Sequence, residues 1–256
     1  MSVLLMRLAA PLQSWGVYSK FDRRDTGRAP TKSGVLGLCA AAMGYHREES
    51  DKLERLSALR YGVRIDKEGV LLGDLQLAHE ESFWDPVNRS KINRDTKSSS
   101  YLTTRYYLMD AAFLVGLEGN DDILHDIEEA LRSPMYPLYL GRRGCPPEGR
   151  VLLGIVSKSL HEALEEYPSI SLSSRSYYKE NTKRRVLIDT SEKNDTVQKR
   201  ASYLTRDFPL SFNPDHRRYD YRRVHEYDVD ESPSTRVHDA IATVEEVYHV
   251  HFPYND

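Results

Sequence analysis

Cysteine is scarce in this sequence, and long apolar runs are missing from it. The 256 residues include only two cysteines, Cys39 and Cys145, and they form no Cys-x-x-Cys pair. This excludes a disulfide framework and a cysteine-type zinc site, so we expect two reduced, structural thiols. No apolar stretch approaches the roughly 18 residues of a membrane helix, and the start "MSVLLMRLAAPLQSWG" turns polar too early for a signal peptide. The sequence therefore predicts a cytoplasmic protein that does not interact with a membrane.

Motifs for catalysis and for nucleotide binding are missing as well. The sequence has no Gly-x-Ser-x-Gly and no His-Glu-x-x-His, and its nine histidines, including "HVH" at 249–251, show no metal-ligand spacing. The stretch "GRAPTKS" comes close to a phosphate loop, but Lys32 stands where that loop needs its second glycine. We therefore expect neither a metal nor a cofactor.

Charge is abundant and unevenly distributed along the chain. The net charge is -3, yet the first 47 residues carry +5, which leaves -8 for the remaining 209. A second basic stretch, 87–107, carries +4. This segregation is compatible with a polyanion-binding face on an acidic body, and equally with basic stretches that never meet in space.

The predicted elements follow a ferredoxin-like or RRM-like order. A strand over "SVLLMRLAAPL", stopped by Pro11, precedes a helix over "SGVLGLCAAAMGY" with Ser33 as its N-cap, and Ser50 caps a second helix. The strands "YGVRID" and "GVLLGDLQLAH" come next, followed after an interruption by the long strand "YLTTRYYLMDAAFLVGLEG", the helix "DDILHDIEEALRS" and "RVLLGIVSKSL". The pattern predicts an α+β fold of this type.

Two regions depart from that order and set the predicted boundaries. Residues 79–100 are polar, basic and serine-rich, and a structureless insertion of that length is unusual unless it has a function. Beyond about residue 168 the chain changes to short alternating runs rich in Tyr and Arg, which predict strands. We predict a domain over 1–167, with an insertion over about 79–106, and a smaller β-rich subdomain over 168–256.

The first candidate site precedes and begins the first helix. Lys32 and Ser33 lie where free helix N–H groups attract anions, and Arg23, Arg24 and Arg28 offer bidentate contacts to phosphate. An ordinary capped helix beside a basic loop explains the same residues.

Two further stretches present arginines. In "YLGRRGCPP", glycines on both sides of Arg142 and Arg143 permit a close backbone approach to a ligand, although a generic glycine-rich turn has the same composition. In "YLTTRYYL", strand alternation places Arg105 on the same face as Tyr107, as expected for unstacked RNA bases or for simple packing.

Three of these stretches together resemble a known family. In order, "MRLAAPLQSWG" with "TGRAPTKSGVLGL", "TTRYYLMDAAFLVGL" and "PLYLGRRGCP" are similar to the CasD family of the subtype I-E CRISPR Cascade complex. The resemblance implies a ferredoxin-like domain, a long β-hairpin thumb at the 79–106 insertion and a small C-terminal β subdomain. It also implies a non-catalytic subunit that holds the 5′ handle of the CRISPR RNA beside the backbone and large subunits, and meets target DNA only through the complex.

The residues that the resemblance assigns to RNA binding are those found above: Arg23, Arg24, Arg28, Lys32, Ser33, Arg105, Arg142 and Arg143. A rival prediction is a metal-independent endoribonuclease that processes CRISPR precursor RNA, with Tyr45, His46 or Lys97 as acid–base groups. A third is a scaffold that contacts protein partners alone.

Overall fold

The computed structural model describes residues 2–16, 19–20, 22–79, 84–85, 90–91, 100–170, 183–190 and 202–230. The fold within these ranges is mixed α/β, with a mostly antiparallel sheet and few helices. The strands are β1 Ser2–Gln13, β2 Ser19–Lys20, β3 Arg23–Arg24, β4 Arg60–Lys67, β5 Val70–His79, β6 Trp84–Asp85, β7 Ser90–Lys91, β8 Ser100–Gly119, β9 Leu152–Val156, β10 Lys183–Asp189, β11 Ser202–Ser211 and β12 Arg218–Asp230. The helices are α1 Lys32–Ala42, α2 Ser50–Ser57, α3 Asp121–Arg132 and α4 Leu160–Glu166.

Strand β8 organises the sheet, because it has 20 residues and pairs with four other strands. Its second half lies between β1 and β4 in the order β4-β8-β1-β9, and all three of these pairings are antiparallel. Residues 113–115 of this half, Phe-Leu-Val, are fully buried, as expected for a strand covered on both faces.

Alternation along β1 divides the core between the two faces of the sheet. Leu4, Met6 and Leu8 belong to the larger apolar cluster, which is covered by α1, α2 and α3. Val3 and Leu5 belong to the opposite cluster, which includes residues of α4 and β10. Since each of these side chains is at most 1% exposed, each contributes on the order of 2 kcal/mol by leaving water.

The first half of β8 forms a ribbon with β5, and β3 pairs with its other edge at Thr104 and Arg105. Val70 pairs with Met109 and His79 with Ser100, so the ribbon is ten residue pairs long. It departs at Asp110, which has a φ of 60° and forms an ion pair with Lys67. Apolar side chains of the ribbon are exposed: Val70, Leu71, Leu75, Leu77, Tyr101, Leu102 and Met109.

The strands after residue 182 continue the main sheet. Strand β10 pairs with the outer edge of β4, β12 with β10, and β11 with β12. The sheet curls far enough for β11 to contact α1 and α2. The predicted strands of this region are confirmed, whereas the division at 167–168 into two units stays a prediction.

Three local expectations were wrong. Pro11 does not stop β1, which continues to Gln13. Because β9 pairs only with Val3–Met6 of β1, Pro11 has no second neighbouring strand, and a proline is tolerated in such a position. Thr31, not Ser33, is the N-cap of α1, and Glu49, not Ser50, that of α2. Helix α4, capped by Ser159, was missed.

The cysteines are as expected, since Cys39 and Cys145 are both buried and unpaired. Among the described residues, no helix is long and apolar enough to cross a membrane. The predicted insertion at 79–106 falls largely on residues outside those described, as do Lys97 and "HVH".

Candidate nucleic-acid interface

Four of the predicted arginines meet where β8 enters the ribbon, and we call Arg23, Arg24, Arg105 and Arg142 the arginine cluster. Strand β3 lies parallel to β8, so that Arg23 is opposite Thr104 and Arg24 opposite Arg105. Arg142 arrives from the loop after α3 and donates from Nη2 to the carbonyl oxygen of Arg24 at 2.8 Å. Arg24, Arg105 and Arg142 thus bring positive charge from three segments that are distant in sequence to the face of β8 that carries Tyr107, while Arg23 lies on the opposite face, which carries Tyr106.

Two neighbouring tyrosines of β8 hold the guanidinium groups in place. Arg23 lies 5.0 Å from the ring centre of Tyr106, and Arg142 lies 4.7 Å from that of Tyr107. Since adjacent residues of a strand point to opposite faces, the two arginines flank the ribbon from both sides. The tyrosines therefore support arginines, each by about 0.5–1 kcal/mol, instead of offering both faces of their rings to bases.

Gly141 fixes the turn that carries Arg142. Its φ is 91°, and an added Cβ would lie 1.7 Å from the carbonyl oxygen of Ser14, so no other residue fits without moving the turn. The backbone N–H of Ser14 donates to Leu140 at 3.1 Å, which ties the turn to the end of β1. Within the described part of the chain, Nη1 of Arg142 is buried and has no hydrogen-bond partner.

The loop that carries Arg23 and Arg24 is tied to the end of β1 and to β8. The N–H of Trp15 donates to Thr26 Oγ1 at 2.8 Å, and that of Thr104 donates to the carbonyl of Asp22 at 2.8 Å. Arg23 also pairs with Asp25 at 2.9 Å. Arg28, on the same loop, is exposed and lies apart from these contacts.

Lys32 is placed inside the protein, contrary to the role predicted for it. Its Nζ lies 3.0 Å from Asp189 Oδ2, its backbone N–H donates to Asp207 at 2.8 Å, and it is only 3% exposed. Burial lowers the pKa of Lys32 and outweighs the attraction of Asp189. The ammonium group is therefore committed to an internal partner.

Arg222 completes this arrangement, and we call Lys32, Asp189, Asp207 and Arg222 the charge network. Arg222 contacts Asp189 and Asp207, each at 2.6 Å. Burial acts to lower its pKa, but the hydrogen bond to Asp207 and the charges of both carboxylates raise it overall. Asp207 and the Thr31 cap occupy N–H groups at the start of α1, so the anion at this helix end belongs to the protein itself.

The other two predicted residues, Ser33 and Arg143, line a groove of about 720 Å³ next to the arginine cluster. The groove lies between α1, the loop after it, the turn at 136–143 and the β11–β12 turn. Sequence reasoning missed most of its lining, although the Tyr/Arg-rich composition after residue 168 was a signal for part of it. Its lining includes Gly37, Tyr45, Tyr136, Phe212, Arg217 and Tyr219.

His46, which the endoribonuclease prediction names as an acid–base group, is exposed at the rim of this groove. Its backbone N–H donates to Glu49 at 2.7 Å, and Lys52 lies 4.9 Å from the ring centre of Tyr45. The described residues contain no group of three or more side chains able to hold a metal ion.

A separate histidine, His161, is committed to a hydrogen-bonded chain at the start of α4. Arg60 lies 3.4 Å from Nε2, and Nδ1 lies 3.0 Å from the hydroxyl of Tyr227, which donates to Glu165 at 2.9 Å. Because arginine only donates, Nε2 accepts and Nδ1 carries the proton. Burial, and secondarily the charge of Arg60, lowers the pKa of His161, so this imidazole is neutral.

Comparison with known proteins identifies the family of this chain. The model of a family described as CRISPR-associated protein (Cas_Cas5) matches residues 3–225. The chain belongs to this Cas5 family. The resemblance seen in the sequence is thereby confirmed, since the match includes all three stretches that carried it.

Individual Cas5-related proteins show the same relationship. The CRISPR system Cascade subunit CasD of Escherichia coli (strain K12) is 34% identical over 165 residues, which cover 62% of this chain and 73% of that protein. A chain of a CRISPR RNA-guided surveillance complex superposes with a TM-score of 0.74 at 28% identity, covering 95% of this chain and 99% of that one. A Cas protein crystal structure gives 0.66 at 37% identity, covering 90% and 95%.

Proposed function

We propose that this protein is a CRISPR RNA-binding subunit of a Cascade complex, which holds the 5′ handle of the guide RNA and caps the backbone. The observation that carries the proposal is the arginine cluster, in which three distant segments are braced by tyrosine rings and backbone contacts. Arginine suits this role because its planar fork contacts phosphate bidentately. The names of the relatives, a Cascade subunit and a chain of an RNA-guided complex, support it.

The proposal includes the finer fold expectations. We take the order β4-β8-β1-β9, with α1 and α3 packed on one face, as the ferredoxin-like arrangement, and the β5–β8 ribbon as the base of the thumb. Leu75 and Leu77 are 65% and 56% exposed on this ribbon. Such apolar exposure suits burial against a neighbouring backbone subunit.

We further propose that the chain does not cleave RNA. General acid–base catalysis needs a titrating group free to exchange a proton with its substrate. In the described part of the chain, His161 is committed to internal partners, whereas His46 is exposed at the groove rim and is therefore the group to test. Incubation with repeat RNA in EDTA tests this, and specific cleavage that disappears in His46→Ala would favour the endoribonuclease instead.

A charge reversal tests RNA binding directly. We expect Arg142→Glu with Arg143→Glu to weaken binding of labelled repeat RNA in a filter assay, and to lower the slope of log K against log salt. Two lost phosphate contacts correspond to a decrease of about 1.4 in that slope for single-stranded RNA. The charge-matched control is Arg55→Glu with Arg132→Glu, since these arginines pair with Asp126 at 3.9 Å and Glu128 at 2.7 Å and belong neither to the cluster nor to the groove lining.

Unchanged affinity and slope in the double variant would reject the arginine cluster as the RNA site. Equal losses in the two double variants would show that net charge alone attracts the RNA, which would also count against a specific site. A circular dichroism spectrum of each variant establishes that the comparison is made between folded proteins.

A further inference from the structure

Three consecutive buried residues lie at the end of β1, and we call Gln13, Ser14 and Trp15 the Gln-Ser-Trp segment. They are 0%, 3% and 1% exposed, so none of their side chains can contact a bound RNA directly. All three side chains carry polar groups, and a polar group that leaves water needs a hydrogen-bond partner inside the protein. The partners of this segment therefore show what it holds in place.

The amide of Gln13 links the indole of Trp15 to β8. Its Nε2 donates to the carbonyl of Ala111 at 2.8 Å and to that of Leu8 at 3.3 Å, and its Oε1 accepts from Trp15 Nε1 at 3.1 Å. The indole also packs on α1, since a Cβ added to Gly34 would lie 3.0 Å from a carbon of its ring. The hydrogen bond between Gln13 and Trp15 thus fixes the ring between the sheet and the first turn of α1.

The backbone of the segment holds two of the loops that carry the arginine cluster. On the loop after β3, Trp15 donates its N–H to Thr26 Oγ1 at 2.8 Å, and its carbonyl accepts from the N–H of Gly27. On the loop after α3, the carbonyl of Leu140 accepts from the N–H of Ser14 at 3.1 Å. Both loops therefore take their position from two adjacent residues.

The side chain of Ser14 contacts the third segment of the cluster, which is β8. Its Oγ donates to the carbonyl of Tyr106 at 3.2 Å, and the ring of Tyr106 contacts Arg23. Each of the three segments that carry the cluster is thus hydrogen-bonded to the Gln-Ser-Trp segment. Core packing alone would need apolar contact, whereas hydrogen bonds also fix direction.

From these contacts we propose that Gln13 and Trp15 are positioning residues of the RNA site. Their hydrogen bond sets the course of the chain at Ser14, and the backbone groups there set the distances between the arginines of the cluster. Because both side chains are buried, they act through the arginines and not on the RNA. This inference rests on the proposed function, since it assumes that the arginine cluster binds RNA.

The test variant is Trp15→Phe, which keeps an aromatic ring and removes the N–H that donates to Gln13. The matched control is Tyr227→Phe, which also keeps a ring and removes a hydroxyl bonded to His161 and Glu165, against the apolar cluster on the other face of the sheet. Neither substitution changes the net charge. A change in the salt dependence of binding therefore reports the number of phosphate contacts.

Labelled single-stranded repeat RNA is titrated against the full-length chain in a filter assay. We expect Trp15→Phe to bind about tenfold more weakly and to lower the slope of log K against log salt by about 0.7, the value for one lost phosphate contact. The control should keep the wild-type affinity and slope. The temperature is chosen so that circular dichroism shows every variant folded, because a loss of stability alone then leaves the slope unchanged.

A double variant tests whether Gln13 and Trp15 act together. We expect Gln13→Met combined with Trp15→Phe to lower the slope no further than Gln13→Met alone, because both substitutions break the same hydrogen bond. Decreases that add would show two independent residues and would overturn the proposed pair.

Hydrogen exchange measures the hold on the loops without RNA. The N–H groups of Ser14 and Gly27 donate across the junctions between the segment and its loops. We expect them to exchange faster in Trp15→Phe than in wild type, and at the wild-type rate in Tyr227→Phe. If Trp15→Phe does not fold, Ser14→Ala, which removes the bond to Tyr106, replaces it in both measurements.

The failure of this inference differs from the failure of the proposed function. If wild type does not bind repeat RNA, the proposed function fails and the inference fails with it. If wild type binds, but Trp15→Phe equals Tyr227→Phe in affinity and slope, the segment does not position the cluster and the inference alone is wrong. Faster exchange with an unchanged slope would show that the segment holds loops on which RNA binding does not depend, which also overturns the inference.

Discussion

Arg142 and Arg222 both lie over a tyrosine ring, 4.7 Å from Tyr107 and 5.0 Å from Tyr61, yet their other contacts differ. Arg222 is held by two carboxylates, those of Asp189 and Asp207. Arg142 donates to a backbone carbonyl and keeps one buried nitrogen without a partner in the described residues. Two carboxylates neutralise the charge of Arg222, which therefore stabilises the fold, whereas no carboxylate among the described residues pairs with Arg142, whose positive charge can attract an external anion.

The same contrast separates Lys32 from Arg143. Both were predicted to contact RNA, Lys32 from the start of α1 and Arg143 from a turn flanked by glycines, but Lys32 is 3% exposed and Arg143 is exposed on the rim of the groove. The network that holds Lys32 connects α1 to β10, β11 and β12. It thereby fixes the position of the β11–β12 turn that forms one wall of the groove.

Removal of one carboxylate should break the charge network. We expect Asp207→Ala to lower the free energy of unfolding by about 3–5 kcal/mol, because it leaves buried charge on Arg222 without one of its partners. It also removes the acceptor for the N–H of Lys32. Urea denaturation monitored by circular dichroism measures the loss.

The control for this prediction is Asp25→Ala, the same substitution at the exposed pair with Arg23. Exposed pairs contribute about 0–1 kcal/mol, so a small change is expected there. A similar cost for both substitutions would contradict the distinction between the two regions.

Displacement of the turn at Gly141 should damage the arginine cluster. We expect Gly141→Ala to cost about 1–3 kcal/mol in stability, the usual range for a backbone strained in this way, and to weaken RNA binding by moving Arg142. The clash with Ser14 at 1.7 Å is the physical reason. Denaturation and filter binding together provide the measurement.

Gly144→Ala is its matched control, since nothing lies within 4 Å of a Cβ at that position. Wild-type stability and affinity are expected for this variant. Should Gly141→Ala bind RNA as tightly as Gly144→Ala does, the turn would not position Arg142 for the ligand.

Replacing one basic residue by methionine in each region, Lys32 in the charge network and Arg142 in the arginine cluster, sharpens the comparison. These variants have the smallest expected effect on stability. We expect Lys32→Met to lower the free energy of unfolding by less than Asp207→Ala does, because burial lowers the pKa of Lys32, so its ammonium group gains less from the carboxylates than the guanidinium group of Arg222 does. Asp189 keeps Arg222 as its partner. The salt slope of RNA binding should equal that of wild type.

Arg142→Met, in contrast, should lower that slope by about 0.7, the value for one phosphate contact of single-stranded RNA. A comparable decrease in Lys32→Met would restore the role that the sequence predicted for Lys32. Salt titrations of both variants against the same repeat RNA decide between these outcomes.

Local sequence was sufficient to predict most elements but not the partners of their side chains. Apolar spacing located α1, α3 and the long strand β8, because these periodicities reflect which face is buried. Lys32 was misassigned because its acidic partners lie 157 and 175 residues further along the chain. Nothing in the residues around position 32 indicates that a carboxylate will reach the start of α1.

The candidate site shows the same limit. The stretches with Arg23, Arg105 and Arg142 were each found in the sequence, and the family resemblance joined them before their contacts were known. The groove wall at Phe212 and Tyr219 was missed, because it depends on the curl of the sheet that brings β11 over α1. This curvature arises from the twist of many strands, so no short sequence motif predicts it.

Strand β8 is continuous from the buried core to the ribbon, and this continuity limits how the chain can vary in length. Ten residue pairs at about 3.3 Å each give the ribbon a reach of roughly 33 Å. Insertion or deletion of a single residue between Tyr107 and Asp110 would exchange the two faces of the ribbon relative to the core. Tyr107 would then point away from Arg142, so homologues that vary freely in loop length should keep this spacing constant.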